Sequence, residues 1–212
     1  MSKLIEKRER LSGEERKAQI IDSALTLFAQ KGFASTRTKE IASAAGISET
    51  LIFQHFKTKE DLIAAALAVL FHPQPVSGDL KKFLKHTEDD VGFFREVALH
   101  FIKHNRQDPR IIRLAIYCSL EGGHFGELTR IDETGPLMIT AITEYIQRRI
   151  DKGVFVKTNA EVAARLFVGM VFMYIADQQA EISGPRIALS DEEVVETLVA
   201  IFVDGLRRQK TG

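Results

Sequence analysis

Apolar residues along the chain recur at spacings of three and four, and no stretch sustains the period-two alternation of a half-buried strand, so the pattern predicts an all-α protein. The first helix opens at a Ser12-x-x-Glu15 capping box. Ile20, Ile21, Ala24, Leu25 and Phe28 then share one face, and Gly32 after Lys31 stops it. Two short helices are expected next, from about Thr38 to Ala45 and from about Glu49 to Phe56. A fourth opens at the Thr58-x-x-Asp61 box and ends before Pro73. The segment 72–79, HPQPVSGD, carries two prolines and a glycine and is the best candidate for a break between units. Beyond it the helices lengthen. Residues 80–105 read as helical with an interruption near 88–92, Asp108-Pro109 caps the next helix, and Gly122-Gly123 stops it. Another helix runs from Thr134-Gly135-Pro136 to Gly153, and boxes at Thr158 to Glu161 and Ser190 to Glu193 open the last two, giving about nine helices in all.

Composition narrows the class. With 45% hydrophobic and 27% charged residues, the 212-residue chain matches an ordinary globular protein rather than a disordered one. The longest apolar runs, 62–71 and 168–176, are well short of the roughly 18 to 20 residues that span a bilayer. The first residues are charged and lack an apolar signal core, so a cytoplasmic location without membrane attachment is expected. Cys118 is the single cysteine, which excludes intramolecular disulfides and a cysteine-rich zinc cage and suits a small buried apolar role. Net charge is zero, which argues against an indiscriminate nucleic-acid coat. Residues 1–57 nevertheless hold ten Lys/Arg against seven Asp/Glu. The excess of positive charge therefore lies beside the two short helices.

Those helices and the turn between them, TKEIASAAGISETLIFQHF (residues 38–56), have the helix-turn-helix arrangement. Ala42 is small enough for a close crossing, Gly46 suits a turn of positive φ, and Ile52 can bury with Ile41 and Ile47. Ser48 is placed to cap the second helix. Ile52 and Phe56 form its inward edge, while Glu49, Thr50, Phe53 and Gln54 point the other way, toward base edges in a major groove. Gln54 suits adenine, Thr50 donates or accepts, and Leu51 or Phe53 suits a thymine methyl. Arg37, Lys39 and Lys57 flank this face and fit phosphate contacts that position the helix without reading sequence. His55 reads as a phosphate donor rather than a catalyst.

Residues 32–62, GFASTRTKEIASAAGISETLIFQHFKTKEDL, closely resemble the N-terminal domain of the tetracycline-repressor (TetR) family, the likeness covering residues 13 to about 70. The resemblance implies a homodimeric transcriptional regulator, usually a repressor, whose C-terminal helical domain binds a small molecule that loosens its hold on operator DNA. It also implies that Thr36, Arg37, Thr38, Ser48, Thr50, Phe53, His55 and Lys57 approach DNA. Many members carry tyrosine at the position of Phe53 and threonine at that of Leu51, so a phenolic phosphate contact is absent here and base preference does not transfer.

The expected organisation is an N-terminal three-helix DNA-binding domain, residues 1–57, followed by a helical ligand-binding and dimerisation domain, residues 58–212. Phe94, Phe101, Tyr117, Phe125, Met138, Phe167, Met170 and Met173 either border an apolar effector pocket or fill the core. Residues 165–177 and 194–206 are apolar around much of their circumference, which fits either burial within one subunit or pairing with a second copy. The expected partners are thus operator DNA, a partly apolar small molecule and a second copy bound through the last two helices. His100 and His104 have the i, i+4 spacing of two metal ligands, but Phe101 stands where an H-E-x-x-H motif needs glutamate, and no metal or cofactor is assigned. His124 is either a cavity wall or an exposed loop residue. Neither a nucleophile elbow, a P-loop nor a GxGxxG appears, so an all-helical enzyme is the weaker alternative.

Overall fold

The structure is a computed structural model that describes residues 11–71, 82, 85–120, 135–180, 184–186 and 188–207. The described residues form nine helices: α1 (Gly13–Lys31), α2 (Thr38–Ala44), α3 (Glu49–His55), α4 (Lys59–Phe71), α5 (Asp90–Gln107), α6 (Arg110–Leu120), α7 (Gly135–Asp151), α8 (Ala160–Ala180) and α9 (Asp191–Leu206). The only extended pairing among them is an isolated bridge between Phe155 and Arg207. The segment 72–79, Gly122-Gly123, His124, Phe125 and Thr134 lie outside the described residues, as does the side chain of Met138.

Local signals account for most helix ends. Ser12 and Glu15 form the expected reciprocal box, Thr58 and Asp61 exchange the same pair of bonds, and Ser190 with Glu193 repeats it before α9. Asp89 caps α5 through Gly92 N at 3.0 Å, so the interruption expected near 88–92 is the start of this helix. The box expected at Thr158 is corrected by the structure. Asn159 Oδ1 accepts from Val162 N at 3.0 Å, and α8 begins at Ala160, one residue later.

Two compact units emerge, Met1–Leu70 with Tyr117–Thr129 and Phe71–Ile116 with Arg130–Gly212. In the first, the apolar face of α1 (Ile20, Ala24, Leu25, Phe28) is buried, as are Ile41 and Ala42 of α2, Ile52 of α3 and Leu62, Ala66 and Leu67 of α4. In the second, α5 packs on α9 and α8 on α7. Phe93 stacks on Tyr145 with centroids 3.7 Å apart, and Phe94, Phe167 and Phe202 pack mutually at 4.8 to 5.0 Å.

A buried polar knot joins α5 to α7. Asp90, at the first turn of α5, accepts from Tyr145 Oη at Oδ1 (2.7 Å) and from Arg149 Nη2 at Oδ2 (3.1 Å), and Arg149 Nε lies 2.7 Å from the same Oδ1. Burial, followed by the bond to Asp90, pushes the Tyr145 hydroxyl far above the ordinary tyrosine range. Asp191 similarly receives Arg106 Nη2 at 2.6 Å and Tyr174 Oη at 3.1 Å, tying α5, α8 and the start of α9.

Candidate nucleic-acid interface

The α2–turn–α3 segment is held by its own backbone and by α1. Ala45 N bonds Ile41 O at 2.9 Å, Gly46 N bonds Ser43 O at 3.1 Å, and Ile47 N reaches back to Ala42 O at 3.0 Å. Gln19 of α1 donates from Nε2 to Ala45 O at 3.0 Å, fastening the turn from outside. Gly46 takes φ +64°, and a Cβ there would meet nothing within 4 Å, so the demand for glycine is one of backbone conformation rather than of space. Gly46→Val should therefore cost about 1–2 kcal/mol, and Gly46→Asn less, because asparagine tolerates this region. Denaturant midpoints of the two variants check this; equal losses would mean that crowding sets the cost.

Ser48 Oγ accepts from Leu51 N and starts α3. Ile52 and Phe56 are buried, whereas Ser48, Thr50, Phe53 and Gln54 are exposed, Phe53 to 46%. An aromatic ring half open to solvent next to a threonine and a glutamine is poor core and good contact surface. Arg37 and Lys39 at the start of α2 and Lys57 just beyond α3 are exposed, and His55 is half-buried at the last turn of α3. Thr38 Oγ1 donates to Glu49 Oε1, joining the first residue of α2 to the first residue of α3. Thr36 differs from its neighbours: it is 1% exposed, and its hydroxyl donates inward to Gly32 O at 2.7 Å. Behind α2, Glu40 accepts from Lys31 Nζ at 2.5 Å and from Arg37 N at 2.8 Å, and these bonds, Lys31 first, hold its pKa below the ordinary value. Lys59 Nζ donates to Phe33 O at 2.5 Å.

The residues considered for an effector pocket are dispersed. Phe94 and Phe167 are fully buried in ring contact, Phe101 and Met170 are half-buried against the same core, and Met173 is exposed. Tyr117 belongs to the first unit, its Oη 3.4 Å from Gln30 O. A surface groove of about 560 Å³ runs along α7, lined by Thr143, Glu144, Gln147, Arg148, Asp151 and Lys152. Burial, and then the neighbouring His104, lowers the pKa of His100. Among the described residues no group of three metal-binding side chains occurs, and no helix is long and apolar enough to cross a membrane.

Two contacts that build this interface, Gln19 to Ala45 and Thr38 to Glu49, escape a reading of the sequence. Each links residues 26 or 11 positions apart through side chains whose reach no periodicity encodes. The one hint is positional: Thr38 and Glu49 both stand at first helical positions, which a tight turn brings together.

Residues 20–66 match the family described as bacterial regulatory proteins, tetR family. Over 196 residues, 89% of this chain and 95% of the relative, the chain is 27% identical to an uncharacterized HTH-type transcriptional regulator, YvkB, of Bacillus subtilis (strain 168). It is 41% identical over 54 residues to the HTH-type transcriptional repressor Rv3405c of Mycobacterium tuberculosis, covering 26% of this chain and 29% of that one. Its fold is similar to that of AibR, solved in complex with isovaleryl coenzyme A and operator DNA, with a TM-score of 0.67, 20% identity and coverage of 88% and 97% of the two chains.

Proposed function

We propose that this chain, a member of the tetR family of bacterial regulatory proteins, is a ligand-responsive transcriptional regulator that binds a palindromic operator as a homodimer and acts as a repressor released by a small molecule. The observation that carries the reading is the α2–turn–α3 segment, with Ile52 and Phe56 turned in and Thr50, Phe53 and Gln54 turned out. That face offers hydrogen-bonding and apolar groups for base edges, and Arg37, Lys39 and Lys57 offer charge for phosphates. Residues 1–57 serve as the DNA-reading part and 58–212 as the part that dimerises and takes the effector.

A dimer is favoured by the exposed apolar stripes of the last two helices. Val162, Leu166, Gly169 and Met173 succeed one another along α8 at spacings of four, three and four, all exposed; on α9, Ile201 is exposed and Val194 and Leu198 are half-buried along the same periodicity. Paired isologously, such stripes remove apolar surface from water, and a two-fold axis suits two recognition helices about 34 Å apart, one turn of B-DNA, or a multiple of it. An effector that binds one separation of these helices more tightly than another shifts operator affinity by that difference alone. In this reading α4 carries the change, and Phe101 and Met170, half-buried against the core of the second unit, are the candidates for contact with a partly apolar effector. AibR, solved with an acyl coenzyme A and with operator DNA, supports a small-molecule arm of this kind.

Two substitutions separate reading from positioning. Gln54→Ala should change base preference at one position of each half-site by about 1–3 kcal/mol, while Lys57→Ala should weaken all duplexes alike and lower the salt slope by about one. Affinities for an operator and its single-base variants across a salt series test both. Equal effects from the two variants would contradict the assigned roles.

A further inference from the structure

Resting on the operator-binding reading, we infer that Glu49 selects a cytosine in the major groove and that Thr38 is the residue that positions it. Of the seven residues of α3, ETLIFQH, Glu49 alone is acidic; it is half-buried at the first position of the helix and bonded by Thr38, whose chain neighbours Arg37 and Lys39 are exposed, as is Lys57 beyond the end of α3. A carboxylate facing phosphate there would oppose binding, so its place in a DNA interface is the groove rather than the backbone. The Thr38 hydroxyl donates to Oε1 and holds the side chain between the two short helices. A carboxylate has about four lone-pair sites, and Thr38 engages one of them.

The chemistry of the groove then decides the base. An ionised carboxylate only accepts hydrogen bonds, and guanine O6 and N7 and thymine O4 offer only acceptors, so both repel it. Adenine offers its N6 amino group beside the N7 acceptor, a pattern that suits the donor and acceptor of an amide and opposes a carboxylate. Cytosine presents the N4 amino group as its own single hydrogen-bonding group in the groove, a donor that a carboxylate can accept from. Glu49 therefore matches cytosine, and Gln54 remains the residue suited to adenine. Without the Thr38 bond the long glutamate side chain would be ordered only where it meets cytosine and would stay free beside the other bases, so the cost in rotamer entropy falls on the cytosine complex and weakens the choice.

The test is selection from a random duplex pool by the full chain and by Glu49→Gln, Thr38→Val and Thr38→Ser, followed by affinities for the winning duplex and its single-base variants. Circular dichroism melts of each variant verify folding. The expected result is an inverted repeat with one cytosine per half-site whose identity moves toward adenine in Glu49→Gln. Discrimination for cytosine over adenine there should fall roughly 5- to 150-fold. Thr38→Val should flatten the same position while preferences at other positions hold, and Thr38→Ser should restore it. An unchanged preference in Glu49→Gln overturns the inference, as does uniformly tighter binding to all duplexes, which would mean that Glu49 only repels phosphate. A uniform loss in Thr38→Val overturns its positioning role and makes it a phosphate contact. If the unaltered chain enriches no repeat, the operator-binding reading fails, and this inference with it.

Discussion

Arg149→Met is expected to destabilise the protein by about 3–5 kcal/mol, because it leaves the Asp90 carboxylate buried without its cation. Asp90 and Arg149 are 6% and 7% exposed, and water cannot readily replace the guanidinium. Tyr145 Oη still donates at 2.7 Å, but a neutral hydroxyl does not balance a buried charge. The exposed Glu88–Lys152 pair beside the knot contributes little, being open to solvent on both sides. The sharper form of the prediction is a comparison. Removing Asp90 and Arg149 together, with Tyr145→Phe to avoid an orphaned hydroxyl, should cost much less than Arg149→Met alone, since no uncompensated buried group remains. Urea unfolding at one fixed protein concentration measures both, the concentration being held because any self-association would add to apparent stability. A loss below about 1 kcal/mol for Arg149→Met would show that Asp90 is hydrated rather than buried.

If two copies pair through the α8 and α9 stripes as proposed, Leu166→Glu and Ile201→Glu are expected to separate them and to lower operator affinity about 10²- to 10⁴-fold. The two side chains are 61% and 67% exposed in the single chain, so neither substitution disturbs the subunit's own core. In an isologous contact each new carboxylate is buried near its own symmetry mate, or beside the other stripe, and like charges are brought together on desolvation. A monomer can still engage one half-site. What it loses is the tethering that makes the second engagement intramolecular, and with it most of the avidity. Sedimentation across a dilution series, paired with operator titrations, checks both parts. A variant that stays dimeric with unaltered affinity would place the interface elsewhere.

The features legible in the sequence are those whose partners lie within a few residues. Ser12 with Glu15, Ser48 as the cap of α3, Ser190 with Glu193 and the positive φ of Gly46 are each fixed by a backbone that has only local choices. The inward Ile52 and Phe56 and the outward Thr50 and Gln54 follow from a helical period of 3.6. Thr158 misleads because Asn159, equally able to cap, stands one residue nearer the helix. The knot at Asp90 joins residues 55 and 59 positions apart, and Asp90 reads locally as one more acidic residue at a helix start. Thr36 stands in a run of polar residues, yet its hydroxyl turns back to Gly32 O, a choice set by the turn after α1. Aromatic and methionine residues of the second unit are harder still. A residue such as Phe94 has the same spacing whether it packs on Phe167 or faces a bound molecule.

In the proposed function, two copies of the α2–α3 segment read DNA sequence. The measurement that tests it most directly is selection of bound duplexes from a random pool by the purified protein, followed by affinity of the winning duplex across a salt series. The expected result is an enriched inverted repeat, with half-sites about one helical turn apart or a multiple of it and an affinity that falls steeply as salt rises. A pool that stays random, with weak binding indifferent to sequence, would contradict it.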